Sequence, residues 1–344
     1  MDLQKRTLKI GGAVILLAIV LRLLGSGIPA SITQTLTSPE AMSVLLYLET
    51  GRVVRPGQTA QTQPAETAST EPVATEQTTA QTQSVQPEPT LPHQAQAVFA
   101  ADDAALVEVN SICGYDADVE SLLGKTLSWD LTRDEPTVLI IHSHGTESYT
   151  QTEDYTESAD YRTLDVGYNV VSIGDRLVQV LEKGGIHVLH DRTMHDSPSY
   201  TDSYVNSRQS VARYLEEYPS IRLVLDIHRD SVEDGSGSQV PFRTQYGGKS
   251  VAQLMLVVGT DASGLSHPDW PENMSLAVKL HAQLEKICPG ICRPISFRSQ
   301  RFNQDLSPGA LIVEVGSAGN TRQEALLAAE QLGQAILDLA SGTG

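Results

Sequence analysis

The stretch Val138-Leu139-Ile140-Ile141-His142-Ser143-His144-Gly145-Thr146-Glu147 decides the fold. Four apolar residues, mostly β-branched, stop abruptly at histidine and acid. A short run that is apolar on both faces reads as a strand buried from both sides, the mark of a parallel sheet. Leu223-Val224-Leu225-Asp226-Ile227-His228-Arg229-Asp230 repeats the pattern, and Ala310-Leu311-Ile312-Val313-Glu314-Val315-Gly316 ends a third such run in a carboxylate. Ligands and catalytic groups of open α/β sheets gather at the carboxyl ends of strands. Two strands therefore deliver imidazoles, and a third an acid, to one edge.

Working outward, strand and helix signals alternate from about residue 106 to the C-terminus. Strands are expected at 138–141, 186–189, 223–227, 254–258 and 310–315. Helices are expected at 169–183 (stopped by Gly184-Gly185), 204–218 (stopped before Pro219), 273–287 and 323–339. This alternation implies an α/β domain at 106–344, with a mainly parallel sheet sandwiched by helices.

The strand ends carry the candidate chemistry. His144 and Glu147 form an HxxE unit, and residues three apart in a turn can face one ion. His228 supplies a third ligand and leaves a fourth position for water, as catalytic zinc requires. His142 rivals His144, because two residues of separation on a strand point both to one face. Glu314 sits where an ionised carboxylate is costly without work or a partner. It reads as a general base, or as the partner of an arginine such as Arg229 or Arg301. Asp230 is placed to orient a ligand imidazole, and Arg229 to hold a substrate carboxylate or an oxyanion. His195, in a loop on the ligand-collecting side, and Arg301, Asn303 and Gln304, just before the Glu314 strand, read as substrate contacts; the 301–305 loop reads equally as merely solvated.

The 344 residues carry a formal net charge of −18, which argues against nucleic acid as a partner because so acidic a chain is ill suited to neutralise phosphates. Three cysteines are too few for a disulfide framework. Cys288 and Cys292 read as two buried thiols or a local bridge. Lys5, Arg6 and Lys9 precede an apolar run over 8–30 broken by Arg22, long enough to span a bilayer. The expectation is a membrane helix within 1–30 with a cytoplasmic N-terminus; a cleaved signal peptide is the alternative. Residues 31–55 contain an amphipathic helix or a stalk. Residues 56–97, rich in Thr, Gln, Pro and Ala, read as a disordered tether.

These motifs together resemble the stage II sporulation protein P family. The resemblance rests on His142-Ser143-His144-Gly145-Thr146-Glu147-Ser148-Tyr149, His195-Asp196-Ser197-Pro198-Ser199-Tyr200, Asp226-Ile227-His228-Arg229-Asp230, Phe302-Asn303-Gln304-Asp305-Leu306-Ser307-Pro308-Gly309-Ala310 with Glu314-Val315-Gly316, and Leu46-Tyr47-Leu48-Glu49-Thr50-Gly51-Arg52. It implies an N-acetylmuramoyl-L-alanine amidase fold, akin to zinc exopeptidases. It also implies a zinc cofactor, hydrolysis of the amide between muramic acid and the first peptide residue, and endopeptidase action on peptide cross-links. The implied setting is forespore engulfment, from the mother-cell membrane into the intermembrane space, with stage II sporulation proteins D and M as partners and peptidoglycan as substrate. The resemblance assigns the metal to His144 and His228 and the base to Glu314. Glu147 or Asp165 completes the metal set. A tethered wall-binding module without catalysis and a zinc exopeptidase are the rival readings.

Overall fold

The computed structural model describes residues 98–127 and 130–342. The expected membrane helix, juxtamembrane segment and tether lie outside them. Among the described residues no helix is long and apolar enough to cross a membrane.

Among the described residues nine strands form in chain order: β1 (Val109–Ser111), β2 (Val138–Ile141), β3 (Val188–His190), β4 (Leu223–Asp230), β5 (Arg243–Tyr246), β6 (Lys249–Ala252), β7 (Leu254–Val258), β8 (Ile295–Phe297) and β9 (Ala310–Ser317). Five α-helices accompany them: α1 (Val119–Gly124), α2 (Val170–Lys183), α3 (Ser203–Glu217), α4 (Trp270–Ile287) and α5 (Arg322–Ser341). Seven strands make one sheet in the order β1-β8-β7-β9-β4-β2-β3, and β5 and β6 form a separate hairpin. Every step in the large sheet is parallel except β7 against β9. The mixed, mostly parallel α/β architecture matches the expectation from the sequence.

Local chemistry explains the boundaries. The Asn169 side chain accepts the Val171 amide and starts α2, as a helix N-cap does. Thr321 and Glu324 form a reciprocal capping box that starts α5. The four residues of β2 are all buried, as their composition requires. Val138 and Ile140 enter the large core shared with α2, α4 and α5, whereas Leu139 and Ile141 enter a smaller cluster with Val211 of α3. Helices thus cover both faces of β2, and its unbroken apolar run is what that burial demands.

The register of β4 and β9 positions the site. His228 is the direct neighbour of Glu314, and the pairing slips between His228 and Asp230. Between those pairs β4 contributes Arg229 alone, while β9 contributes Val315 and Gly316. Gly316 takes φ +70°, and a Cβ there would lie 2.8 Å from Asn320 Oδ1. This is a bulge that only glycine fits, and bulges of this kind re-aim the side chains beside them.

Candidate active site

Past β2 the chain turns at once, with the Glu147 amide donating to the His144 carbonyl at 3.1 Å. The turn brings Glu147 between two imidazoles. Its Oε1 lies 3.5 Å from His144 Nδ1 and its Oε2 lies 3.5 Å from His228 Nδ1. One donor atom from each of the three residues falls within 4.8 Å of the others. The remaining ring nitrogens are engaged from behind. His144 Nε2 lies 3.0 Å from Ser203 Oγ, at the start of α3. His228 Nε2 lies 2.8 Å from Asp226 Oδ1, an ion-pair contact without hydrogen-bond alignment. Two imidazoles with one nitrogen turned to a shared carboxylate and the other held by an oxygen form the pattern that fits a metal ion.

Charge sharpens the arrangement. Burial pushes the Glu147 carboxyl up, but Arg229 and the two imidazoles outweigh it and hold the group well below the usual range. Burial likewise opposes charge on His228, yet Asp226 and then Glu147 raise its pKa well above the ordinary value. Without a cation, then, a proton on His228 balances two buried acids. Glu314 behaves oppositely. Burial, with Glu147 and Asp230 adding to it, pushes its carboxyl up to about 8 against the pull of His228 and Arg229. Its Oε2 is buried with no hydrogen-bond partner.

A hydrogen-bonded string extends away from the cluster. The Ser143 hydroxyl donates to Asp226 Oδ2 at 2.5 Å and its amide to Oδ1 at 2.7 Å. The Ser207 hydroxyl lies 2.7 Å from Ser143 Oγ, and Asn303 Nδ2 donates to Ser207 Oγ at 3.2 Å. On the open side, the half-exposed Tyr200 packs against His144 with ring centroids 4.4 Å apart and the planes tilted by 30°. The Arg162 guanidinium lies 4.4 Å above the same tyrosine ring. Arg162 also pairs with Asp196 at 2.8 Å, and Asp196 accepts the Thr146 hydroxyl, which ties down the Gly145-Thr146 loop.

Several expected residues stand elsewhere. His142 is fully buried, with Nδ1 on the Ile227 carbonyl (3.0 Å) and Nε2 on His190 Nε2 (2.8 Å). The alternation that would align it with His144 fails because β2 ends at Ile141. Asp165 is exposed and accepts the nearby Gly167 amide, outside the cluster. Asp230 pairs with Arg293 at 2.7 Å beyond the bulge, so the acid behind His228 is Asp226. The Arg229 guanidinium, 5% exposed, donates to the Ser148 and Tyr161 carbonyls at 2.9 and 2.8 Å, and its amide donates to Glu147 Oε2 at 3.0 Å. It braces Glu147 and the loop rather than awaiting an anion. Gln304 spends both ends of its amide on the Gly259 amide and the Val257 carbonyl, at 2.8 Å each. His195 is buried with Nε2 3.3 Å from Asp191, and Arg301 pairs with Asp305 at 3.1 Å. Asn303 reaches the site indirectly, through the Ser207 hydroxyl and the Tyr204 carbonyl. Cys288 and Cys292 are free thiols.

The family model described as stage II sporulation protein P (SpoIIP) matches residues 35–337. The chain belongs to that family. A curated relative, stage II sporulation protein P of Bacillus subtilis (strain 168), is 30% identical over 204 residues, 56% of this chain and 48% of that protein. The match thus spans about half the relative's length. Among solved structures, N-acetylmuramoyl-L-alanine amidase AmiC2 of Nostoc punctiforme is 15% identical, covers 59% of this chain and 94% of its own, and has a TM-score of 0.35. The N-acetylmuramoyl-L-alanine amidase of Clostridium difficile 630 is 16% identical, covers 60% and 95%, and has a TM-score of 0.36. At identities and TM-scores this low, nothing about activity follows from either structure.

Proposed function

We propose that this chain is a zinc-dependent peptidoglycan hydrolase of sporulation, cleaving the amide between muramic acid and the first residue of the stem peptide. Membership of the stage II sporulation protein P family supports the setting. The observation that carries the chemistry is the placement of Glu314, a half-buried residue whose Oε2 is buried and unpartnered, beside His228 in the His144–Glu147–His228 cluster.

His144, Glu147 and His228 would hold the ion. A zinc ion there would polarise the scissile carbonyl and bring the pKa of water towards about 7. Glu314 takes a proton from the attacking water and hands it to the leaving amine. Asp226 and Ser203 fix the two imidazoles, and Arg229 fixes Glu147. Tyr200 and Arg162 offer the substrate an aromatic face and a cation at the rim. We place the N-terminal run over 8–30 in the membrane, the 56–97 tether outside it, and stage II sporulation proteins D and M beside the enzyme.

The test incubates the purified full-length chain with peptidoglycan, with and without chelator, and identifies the products by mass. The expected products are free stem peptides and peptide-free glycan, together with cleaved cross-links, all lost on chelation. Release of single amino acids would point to an exopeptidase. Wall binding without products would point to an attachment module.

A further inference from the structure

The end of α4 and the turn after it gather a second set of metal donors. His281 and Glu285 stand four residues apart on α4 and so share one face. Cys292 follows the turn and pairs by a single parallel bridge with Leu254, the first residue of β7. One donor atom from each of the three lies within 4.8 Å of the others. His281 is 2% exposed, and its Nδ1 has no hydrogen-bond partner, a state that buried polar atoms rarely hold without a reason. Glu285 accepts the Gly290 and Cys292 amides, one on each oxygen, at 2.7 Å. Those bonds fix the carboxylate and leave each oxygen a second lone pair. A brace for the turn explains Glu285, and the Cys292 thiol donates to the His281 carbonyl at 3.8 Å; neither contact explains the unpartnered Nδ1 of His281.

We propose that His281, Glu285 and Cys292 form a second metal site, distinct from the His144–Glu147–His228 cluster, that binds a thiolate-accepting divalent cation of the zinc class. Thiolate with imidazole selects such ions over magnesium or calcium. The Cys292 thiol gives its proton to solvent as the sulfur–metal bond forms, and the imidazole binds in its neutral form. Burial already holds His281 down to about 4, so it is neutral at physiological pH. Burial also keeps the Cys292 thiol protonated while no cation is near, and a bound cation reverses that preference. Water fills the remaining position, since Glu285 and Cys292 are partly exposed. The site is structural. It joins the end of α4 to the start of β7, where Leu254 pairs with Val315, the residue after Glu314.

The test uses the full-length chain, reduced, stripped of metal and titrated with Co2+. A thiolate ligand produces a near-ultraviolet sulfur-to-cobalt charge-transfer band, which the sulfur-free His144–Glu147–His228 set cannot give. The band should appear in the wild type, persist in H144A, H228A, C113S and C288S, and vanish in C292S and H281A. Absence of the band in the wild type overturns the proposal whatever the variants do. So does a band that survives C292S, one that is lost with C288S instead, or one that saturates only at millimolar cobalt.

Discussion

His228 Nε2 sits 2.8 Å from Asp226 Oδ1, and this contact decides which nitrogen His228 offers to the cluster. With Nε2 committed to the acid, Nδ1 is the free donor, 3.5 Å from Glu147 Oε2. Asp226 is in turn held by the Ser143 amide and hydroxyl. Asp226→Asn should keep the Ser143 contacts in part but lose the charge that orients the imidazole. We expect zinc affinity to fall by about 10–100-fold, measured by competition with a chromogenic chelator. Unchanged affinity would remove Asp226 from the orienting role.

Glu314→Gln should separate base from ligand. The amide cannot take a proton from water, so muropeptide release should fall by about 10²–10⁴-fold. Zinc content and melting temperature should not fall. Loss of zinc in this variant would instead make Glu314 a ligand.

The pH dependence of the metal-free chain follows from the same residue. Burial raises the Glu314 carboxyl from its usual 4.5 to about 8. Between those values the folded chain keeps a proton that the unfolded chain releases, so the contribution of Glu314 to stability declines as pH rises through that window. Below it the group costs nothing in this sense, and above it the full penalty stands. Glu314→Gln should therefore melt higher than wild type in chelator by a margin that grows between about pH 5 and about pH 8. A constant margin would mean that the carboxyl is not buried in its acid form.

His142 and His144 should behave as opposites. His142→Ala removes a fully buried ring and leaves His190 Nε2 without its partner, which costs about 1–3 kcal/mol for the unsatisfied group alone, yet zinc binding should remain. His144→Ala should abolish zinc binding with a smaller loss of melting temperature. Gly174→Ala offers an independent check. Alanine normally favours a helix interior by about 1 kcal/mol, but here a Cβ would meet His190 Nε2 at 2.6 Å and His142 Nε2 at 2.8 Å. Destabilisation without loss of zinc is expected, read by calorimetry and metal analysis.

The sequence exposed the sheet and much of the cluster because both depend on contiguous residues. An apolar run on a doubly covered strand is visible as composition, and an HxxE turn is visible as spacing. Asp226 was equally accessible, since it precedes His228 by two residues on a strand and must share its face. Gly247 and Gly248, both at positive φ, joined β5 to β6 by a two-residue turn that their pairing could have announced. Other features had no linear signal. Nothing in residues 254–258 declares that β7 runs against β9, and nothing marks Ser203 as the oxygen behind His144. Arg229 and Gln304 carried the chemistry of substrate contacts but were consumed by nearby backbone, a fate set only by packing.

The proposed ligand set is split between a turn after β2 and the C-terminal half of β4, with α2, β3 and α3 intervening in the chain. An unfolded polypeptide holds these donors far apart, so it has no site of high affinity to offer. A zinc ion at this proposed site would therefore load after folding, and its occupancy would deepen the folded state's free-energy well. On the proposed reading, metal supply would act as a form of quality control, because a chain that misplaced β4 against β2 would stay empty as well as inactive.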